Sequence, residues 1–204
     1  GLGKSIQEIM KPTTGNEKKY NTATFYSISN CQEGLTRVTL GNFLIKRVVY
    51  EIQEELPNIK NFGTLSPIPG FRDWFTTLDE GVIQNILGKI PYSTVSFLRS
   101  SSLKVGDGRI VSNKKAIIKL VAHYLMNEKN KKDLPINDVC RFHLGNGAII
   151  EDIVINANVS EVGFNRSFGV MVNYLYELKN IEKNHEDYVN NKNIIISDKL
   201  KKLI

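Results

Sequence analysis

Residues 22–55 read TATFYSISNCQEGLTRVTLGNFLIKRVVYEIQEE, and three patterns follow one another along them. Thr22–Ser29 mixes β-branched and aromatic residues, which favour a pleated strand. Asn30–Thr39 is polar and contains Gly34. From Leu40 onward Ile45, Val48, Val49, Ile52 and Leu56 recur at helical spacing, and Pro57 stops the run. The unit is therefore strand, loop, helix. A helix start offers unpaired backbone N–H groups and the positive end of the peptide dipoles, a combination that holds phosphates. Gly34 and Gly41 bracket the loop and Arg37 adds charge. The loop has neither the Gly-Lys-Ser/Thr of a Walker A motif nor a GxGxxG fingerprint, so a phosphate cradle and a plain structural loop are equally open on the local pattern.

Working outward, Ile6–Met10 reads as a short helix and Phe62–Leu65 as a second strand. Ser66-Pro67-Ile68-Pro69-Gly70 is a stiff turn leading to a short helix over Phe71–Leu78. Short helices broken near Gly88–Pro91 and Gly106–Gly108 fill residues 79–112. Lys115–Glu128 carries Ala116, Ile117, Leu120, Val121, Tyr124 and Leu125 on one stripe, and Pro135 opens a helix through Leu144. Ala148–Ile155 is a strand, Phe168–Leu178 a helix, and Ser197–Leu203 a terminal helix. This order of mixed elements fits an α/β or α+β fold.

Composition bounds the function. A chain of 204 residues, 41% hydrophobic, can build one domain of ordinary size, or one domain plus an extension. It has no apolar run of membrane-spanning length. Two cysteines, Cys31 and Cys140, make neither a disulfide framework nor a zinc motif, and point to a reducing compartment. The formal net charge of +6 suits an anionic partner. The basic residues are interspersed with acidic ones, so a small polyanion such as a nucleotide cofactor fits as well as nucleic acid, and NEKNKKD (Asn127–Asp133) reads as a solvated loop. The N-terminus lacks the apolar core of a signal peptide, and the C-terminus, Lys201-Lys202-Leu203-Ile204, is not the Ser-Lys-Leu peroxisomal address.

Single residues with chemical promise each keep an ordinary reading. Ser66 stands before a proline, which biases it toward extended backbone on a rigid turn; alone, it reads first as a turn or cap serine. His143 precedes Gly145-Asn146-Gly147, where glycine permits close approach; alone, it reads first as a structural histidine. His123 reads as structural and His185 as solvated in a polar loop. Asn173 and Tyr176, one turn apart on the expected Phe168–Leu178 helix, are packing groups or site groups.

Several stretches together resemble the malonyl-CoA decarboxylase family: FYSIS (Phe25–Ser29), QEGL (Gln32–Leu35), LGNFLIKRVV (Leu40–Val49), LSPIPGF (Leu65–Phe71), FHLGNGA (Phe142–Ala148) and GVMVNYLY (Gly169–Tyr176), in family order. The resemblance implies a catalytic domain over residues 1–204 with an α/β, N-acetyltransferase-like (GNAT) fold and a helical insertion around 79–144. It also implies that the family's N-terminal helical domain, and the first strands of the catalytic sheet, are not in this chain. The catalytic pair carries over onto Ser66 and His143, and Ser27 and Tyr176 match further active-site positions. Thr36, Arg37, Val38, Thr39, Leu40, Gly41 and Asn42 match the acyl-CoA-binding loop, and Asn146 joins the substrate-binding set. Thr39 stands where the family usually has glutamate. The implied reaction is malonyl-CoA to acetyl-CoA and CO2, with no metal or prosthetic group and coenzyme A as part of the substrate. The resemblance further implies a homo-oligomer with no nucleic-acid partner, in the mitochondrial matrix, cytoplasm or peroxisome. An acyltransferase on the same fold and an inactive CoA-binding remnant are the alternatives.

Overall fold

The computed structural model describes residues 1–11, 20–26 and 40–204, and the side chains from residue 45 in the last of these. Its centre is a mixed sheet of β1 (Thr22–Phe25), β2 (Asn61–Thr64), β3 (Ser66–Pro67), β4 (Ile149–Val154) and β5 (Met171–Tyr176). β1 runs parallel to β2, and the connection between them contains the helix α2 (Leu40–Glu55). A parallel pair needs such a crossover, because a tight turn can join only antiparallel strands. β2 and β3 lie antiparallel to β5 in one unbroken register, from Phe62 opposite Tyr176 to Pro67 opposite Met171. β4 pairs with the other side of β5, with an irregularity at Ile150/Asp152. The fold is mixed α/β, as the order of elements indicates.

Because side chains alternate along a strand, this register sorts residues between two faces. Phe62, Val170, Val172, Tyr174 and Tyr176 enter the large core. Leu65, Val154, Ala157 and Met171 form a smaller cluster on the opposite side, covered by Ile6 and Ile9 of α1 (Ile6–Ile9). The large core is roofed by helices inserted between β3 and β4. These include α3 (Phe71–Thr77), α4 (Glu80–Leu87), α5 (Gly108–Ser112), α6 (Lys114–Met126) and α7 (Asp138–Gly145). All six stripe residues expected on α6 are buried. Beyond β4 come α8 (Glu161–Ser167), β5, α9 (Ile181–Asn191) and α10 (Asp198–Lys201).

Three expectations are corrected. The helix over Phe168–Leu178 is instead the strand β5. Its apolar run shows no polar alternation because both faces are covered, and length alone does not separate a buried strand from a buried helix. Asn173 and Tyr176 are thus on opposite faces of a strand. His185 is not in a loop but on α9, whose buried stripe is Ile181, Asn184 and Tyr188; an asparagine at the centre of the stripe hides the periodicity. The helix expected from Pro135 begins at Asp138, where the Asn137 side chain accepts from the Cys140 N–H at 2.8 Å, a normal N-cap.

Candidate active site

Thr64 and Ser66 are two residues apart on the continuous β2–β3 run, so their side chains share the face that Tyr174 and Tyr176 present from β5. α7 lies over that face and turns Cys140, His143 and Leu144 inward at i, i+3, i+4 spacing. His143 therefore drops between the two strands. Its Nε2 lies 2.9 Å from Ser66 Oγ, and its Nδ1 lies 2.7 Å from the Tyr176 hydroxyl. Ser66 Oγ in turn lies 2.9 Å from Thr64 Oγ1. Tyr174 stacks on the imidazole, with ring centroids 4.3 Å apart and 25° between planes. Thr64, Ser66, His143, Tyr174 and Tyr176 are all buried.

Burial sets the electrostatics. It pushes the His143 imidazole down to about 3 and the Tyr176 phenol well above its ordinary range. The thiol of Cys140, further along α7, is raised to about 12 by the same desolvation. Taking charge out of water is the dominant cost here, and among the described residues no charged side chain offsets it at His143. At neutral pH the site is a string of uncharged groups, Tyr176–His143–Ser66–Thr64, joined by hydrogen bonds.

The frame around this string is tied at both ends. The Pro69 carbonyl accepts from the Tyr124 hydroxyl and from Asn137 Nδ2, each at 3.0 Å, which fixes the turn after Ser66. After His143 the chain turns through Gly147 at φ 80°. α9 holds this turn. Asn184 Nδ2 donates to the Gly147 carbonyl at 3.2 Å, and His185 Nδ1 donates to the Gly145 carbonyl at 2.6 Å. Lys46 of α2 pairs with Glu182 of α9 at 2.9 Å, joining the crossover helix to the same unit.

The structure brings Ser66, His143 and Tyr176 together. Asn146 ends α7 and is buried; its Nδ2 donates to the Phe142 carbonyl at 2.6 Å, and its Oδ1 has no hydrogen-bond partner among the described residues. Ser27, Thr36, Arg37, Val38 and Thr39 lie outside the described residues. Leu40, Gly41 and Asn42 form the first turn of α2. Asn173 faces away from the site, where its Nδ2 donates to the carbonyls of Thr64 and Gly3. Thr64 and Tyr174 were not singled out in the sequence. The signal for both is period-two alternation, Thr64 with Ser66 and Tyr174 with Tyr176. Among the described residues no cluster of His, Cys, Asp and Glu is arranged to hold a metal ion, and no helix is long and apolar enough to cross a membrane.

The site is thus a buried histidine bonded on one side to a serine and on the other to a tyrosine, set on the mixed sheet of an α/β protein. The chain belongs to the malonyl-CoA decarboxylase family: the model of the family's C-terminal domain matches residues 1–204. The mitochondrial malonyl-CoA decarboxylase of Anser anser anser is 36% identical over 221 aligned residues, which take in 98% of this chain and 44% of that protein. The Rattus norvegicus mitochondrial enzyme is 35% identical, covering all of this chain and 46% of its own length. Among solved structures, malonyl-CoA decarboxylase from Rhodopseudomonas palustris superposes with a TM-score of 0.88 at 35% identity, covering 100% of this chain and 47% of that one. The chain thus spans a little under half the length of the curated relatives it matches.

Proposed function

We propose that the protein carrying this chain decarboxylates malonyl-CoA to acetyl-CoA and CO2. The observation that carries the reading is the buried contact between Ser66 and His143, 2.9 Å apart, on the two motifs that match the family's catalytic pair. Breaking the bond to the malonyl carboxylate releases CO2 and leaves the electron pair as a thioester enolate. The thioester carbonyl accepts that pair, so the reaction as proposed needs no cofactor beyond the coenzyme A of the substrate. Donors aimed at the developing oxyanion supply much of the rate.

His143 supplies the proton that the α-carbon then takes. Burial keeps it neutral, but an anionic carboxylate brought close favours the imidazolium and draws a proton in from solvent. Nε2 is already in contact with Ser66 Oγ, so the way out of the ring runs through that hydroxyl. Ser66 passes its own hydrogen to the α-carbon and takes the Nε2 hydrogen in return, which leaves the imidazole neutral again. The carboxylate's one negative charge is cancelled by the one proton taken up. Thr36–Asn42 hold the coenzyme A pyrophosphate in this reading, and Ser27 completes the acyl end. Thr39, uncharged where the family usually has glutamate, does without a carboxylate at that place. The names of the animal relatives favour the mitochondrial matrix over cytoplasm or peroxisome.

The test is acetyl-CoA formation by the full-length protein supplied with malonyl-CoA, with and without an amine acceptor. Decarboxylation that ignores the amine is expected. Ser66→Ala and His143→Gln should each lower kcat by roughly 10²–10⁴-fold, the range for losing acid–base help. Acyl transfer to the amine, or no turnover at all, rejects the reading.

A further inference from the structure

The structure assigns Thr64 as a positioning residue that sets the direction of the Ser66 hydroxyl and, through it, which nitrogen of His143 carries the hydrogen. Its relevance to turnover rests on the decarboxylase reading; its effect on the hydrogen-bond string does not.

The argument begins with counting. A hydroxyl carries one hydrogen, and a neutral imidazole has one N–H and one bare nitrogen. Ser66 touches both Thr64 and His143, so it can donate to only one of them. Two directions satisfy all three bonds. In the first, Tyr176 donates to Nδ1, Nε2–H donates to Ser66, and Ser66 donates to Thr64. In the second, every arrow is reversed, and Nε2 is bare. A phenol is the stronger donor of the pair at the Tyr176 end, and imidazole nitrogen is a strong acceptor. The 2.7 Å contact there therefore favours the first direction. That direction requires an acceptor for the Ser66 hydrogen, and among the described residues Thr64 Oγ1 supplies it, at 2.9 Å.

Threonine suits this task because its branched Cβ restricts χ1 and presents the oxygen in one place. The backbone is pinned as well: the Thr64 carbonyl accepts from buried Asn173 Nδ2 at 2.8 Å. In the resting site Thr64 keeps the Ser66 hydrogen off Nε2. The proton that makes the imidazolium then enters at Nδ1, from the Tyr176 side, while the hydrogen already on Nε2 faces the serine that hands it on, and Ser66 needs only to swing from Thr64 to substrate.

Thr64→Val keeps the shape and removes the acceptor. Ser66 must then donate to Nε2, and the N–H moves to Nδ1. The sequence has three histidines, so ¹⁵N-histidine labelling resolves the ring nitrogens of His143 directly. The Nε2–H form is expected in the parent and in Thr64→Ser, and the Nδ1–H form in Thr64→Val. With malonyl-CoA, Thr64→Val should lose roughly 10- to 100-fold in kcat, the scale of a misplaced reacting group, with KM within about 3-fold. Thr64→Ser should stay within about 5-fold of parent. If Thr64→Val does not give a parental melt, Thr64→Ala takes its place. A parental tautomer in the variant that lacks the hydroxyl overturns the assignment, and so does parental kcat. A Thr64→Ser protein as impaired as Thr64→Val also overturns it, because the methyl rather than the oxygen is then the part that matters. If the parent does not turn over malonyl-CoA, the decarboxylase reading falls and the tautomer alone decides for or against Thr64.

Discussion

His143 is held neutral by burial, and that has a consequence for stability that is separable from turnover. Its value in the fold is about 3, against about 6.5 in an unfolded chain. Between those values the unfolded chain binds a proton at this residue that the folded one does not. The contribution to stability is therefore complete above about pH 6.5 and falls as pH drops through the window, by up to about 1.4 kcal/mol per pH unit. His143→Gln has no such group. Urea unfolding of parent and variant at pH 7.5 and pH 5 should show the parent losing the more stability of the two on acidification. Parallel losses would mean that the imidazole is not desolvated. The same neutrality predicts that a non-decarboxylating malonyl-CoA analogue binds with uptake of a proton. Calorimetry in buffers of different ionisation enthalpy reads this as a buffer-dependent heat, and a buffer-independent heat would remove the imidazolium from the proposed route.

At the scale of elements, the turn from α7 into β4 decides where His143 stands. Gly147 has φ 80°, and a Cβ there would lie 2.0 Å from the Ile181 carbonyl oxygen of α9. Gly145, two residues earlier, has open space at the same point. Gly147→Ala should cost roughly 2–4 kcal/mol, combining a strained backbone with overpacking, and lower Tm by roughly 5–10 °C. Gly145→Ala should be close to neutral, and equal melts for the two variants would show that α9 does not clamp the turn. Much of this was legible in the sequence. The helical stripe of α6, the strand before Ser66 and the glycine-rich turn were all visible as local patterns. The run Val170–Tyr176 and the polar helix α9 were not. Their surroundings rather than their own periodicity fix them, since one is buried on both faces and the other buries an asparagine. Ser66 and His143 stood out locally, each with an ordinary reading first, and only the resemblance of two motifs to a family joined them as a pair. That Thr64 would sit beside Ser66 follows from strand alternation alone.

Across the whole molecule, the sheet is a wall with the Ser66–His143–Tyr176 string on one side and Ile6 and Ile9 on the other. Ile6 and Ile9 pack on Leu65, Val154, Ala157 and Met171, and the Ile6 N–H donates to the Ala157 carbonyl at 2.9 Å. Leu65 lies between Thr64 and Ser66 in sequence but points the opposite way, so the packing that holds Leu65 also fixes the backbone that aims the two hydroxyls. Asn173 makes the same connection through hydrogen bonds, since its Nδ2 donates both to Gly3 and to the carbonyl of Thr64. Loosening the N-terminal segment should therefore be felt across the sheet at a site it never touches. Replacing both Ile6 and Ile9 with alanine should cost roughly 1–2 kcal/mol each, below the fully buried range because both are partly exposed. If the coupling through Leu65 and Asn173 is real, kcat should also fall several-fold with KM little changed, because positioning rather than binding suffers. Asn173→Ala should reproduce part of the kcat loss with both isoleucines intact. A double alanine variant that melts early yet turns over malonyl-CoA at the parental rate below its melt would show that the far face supplies stability alone.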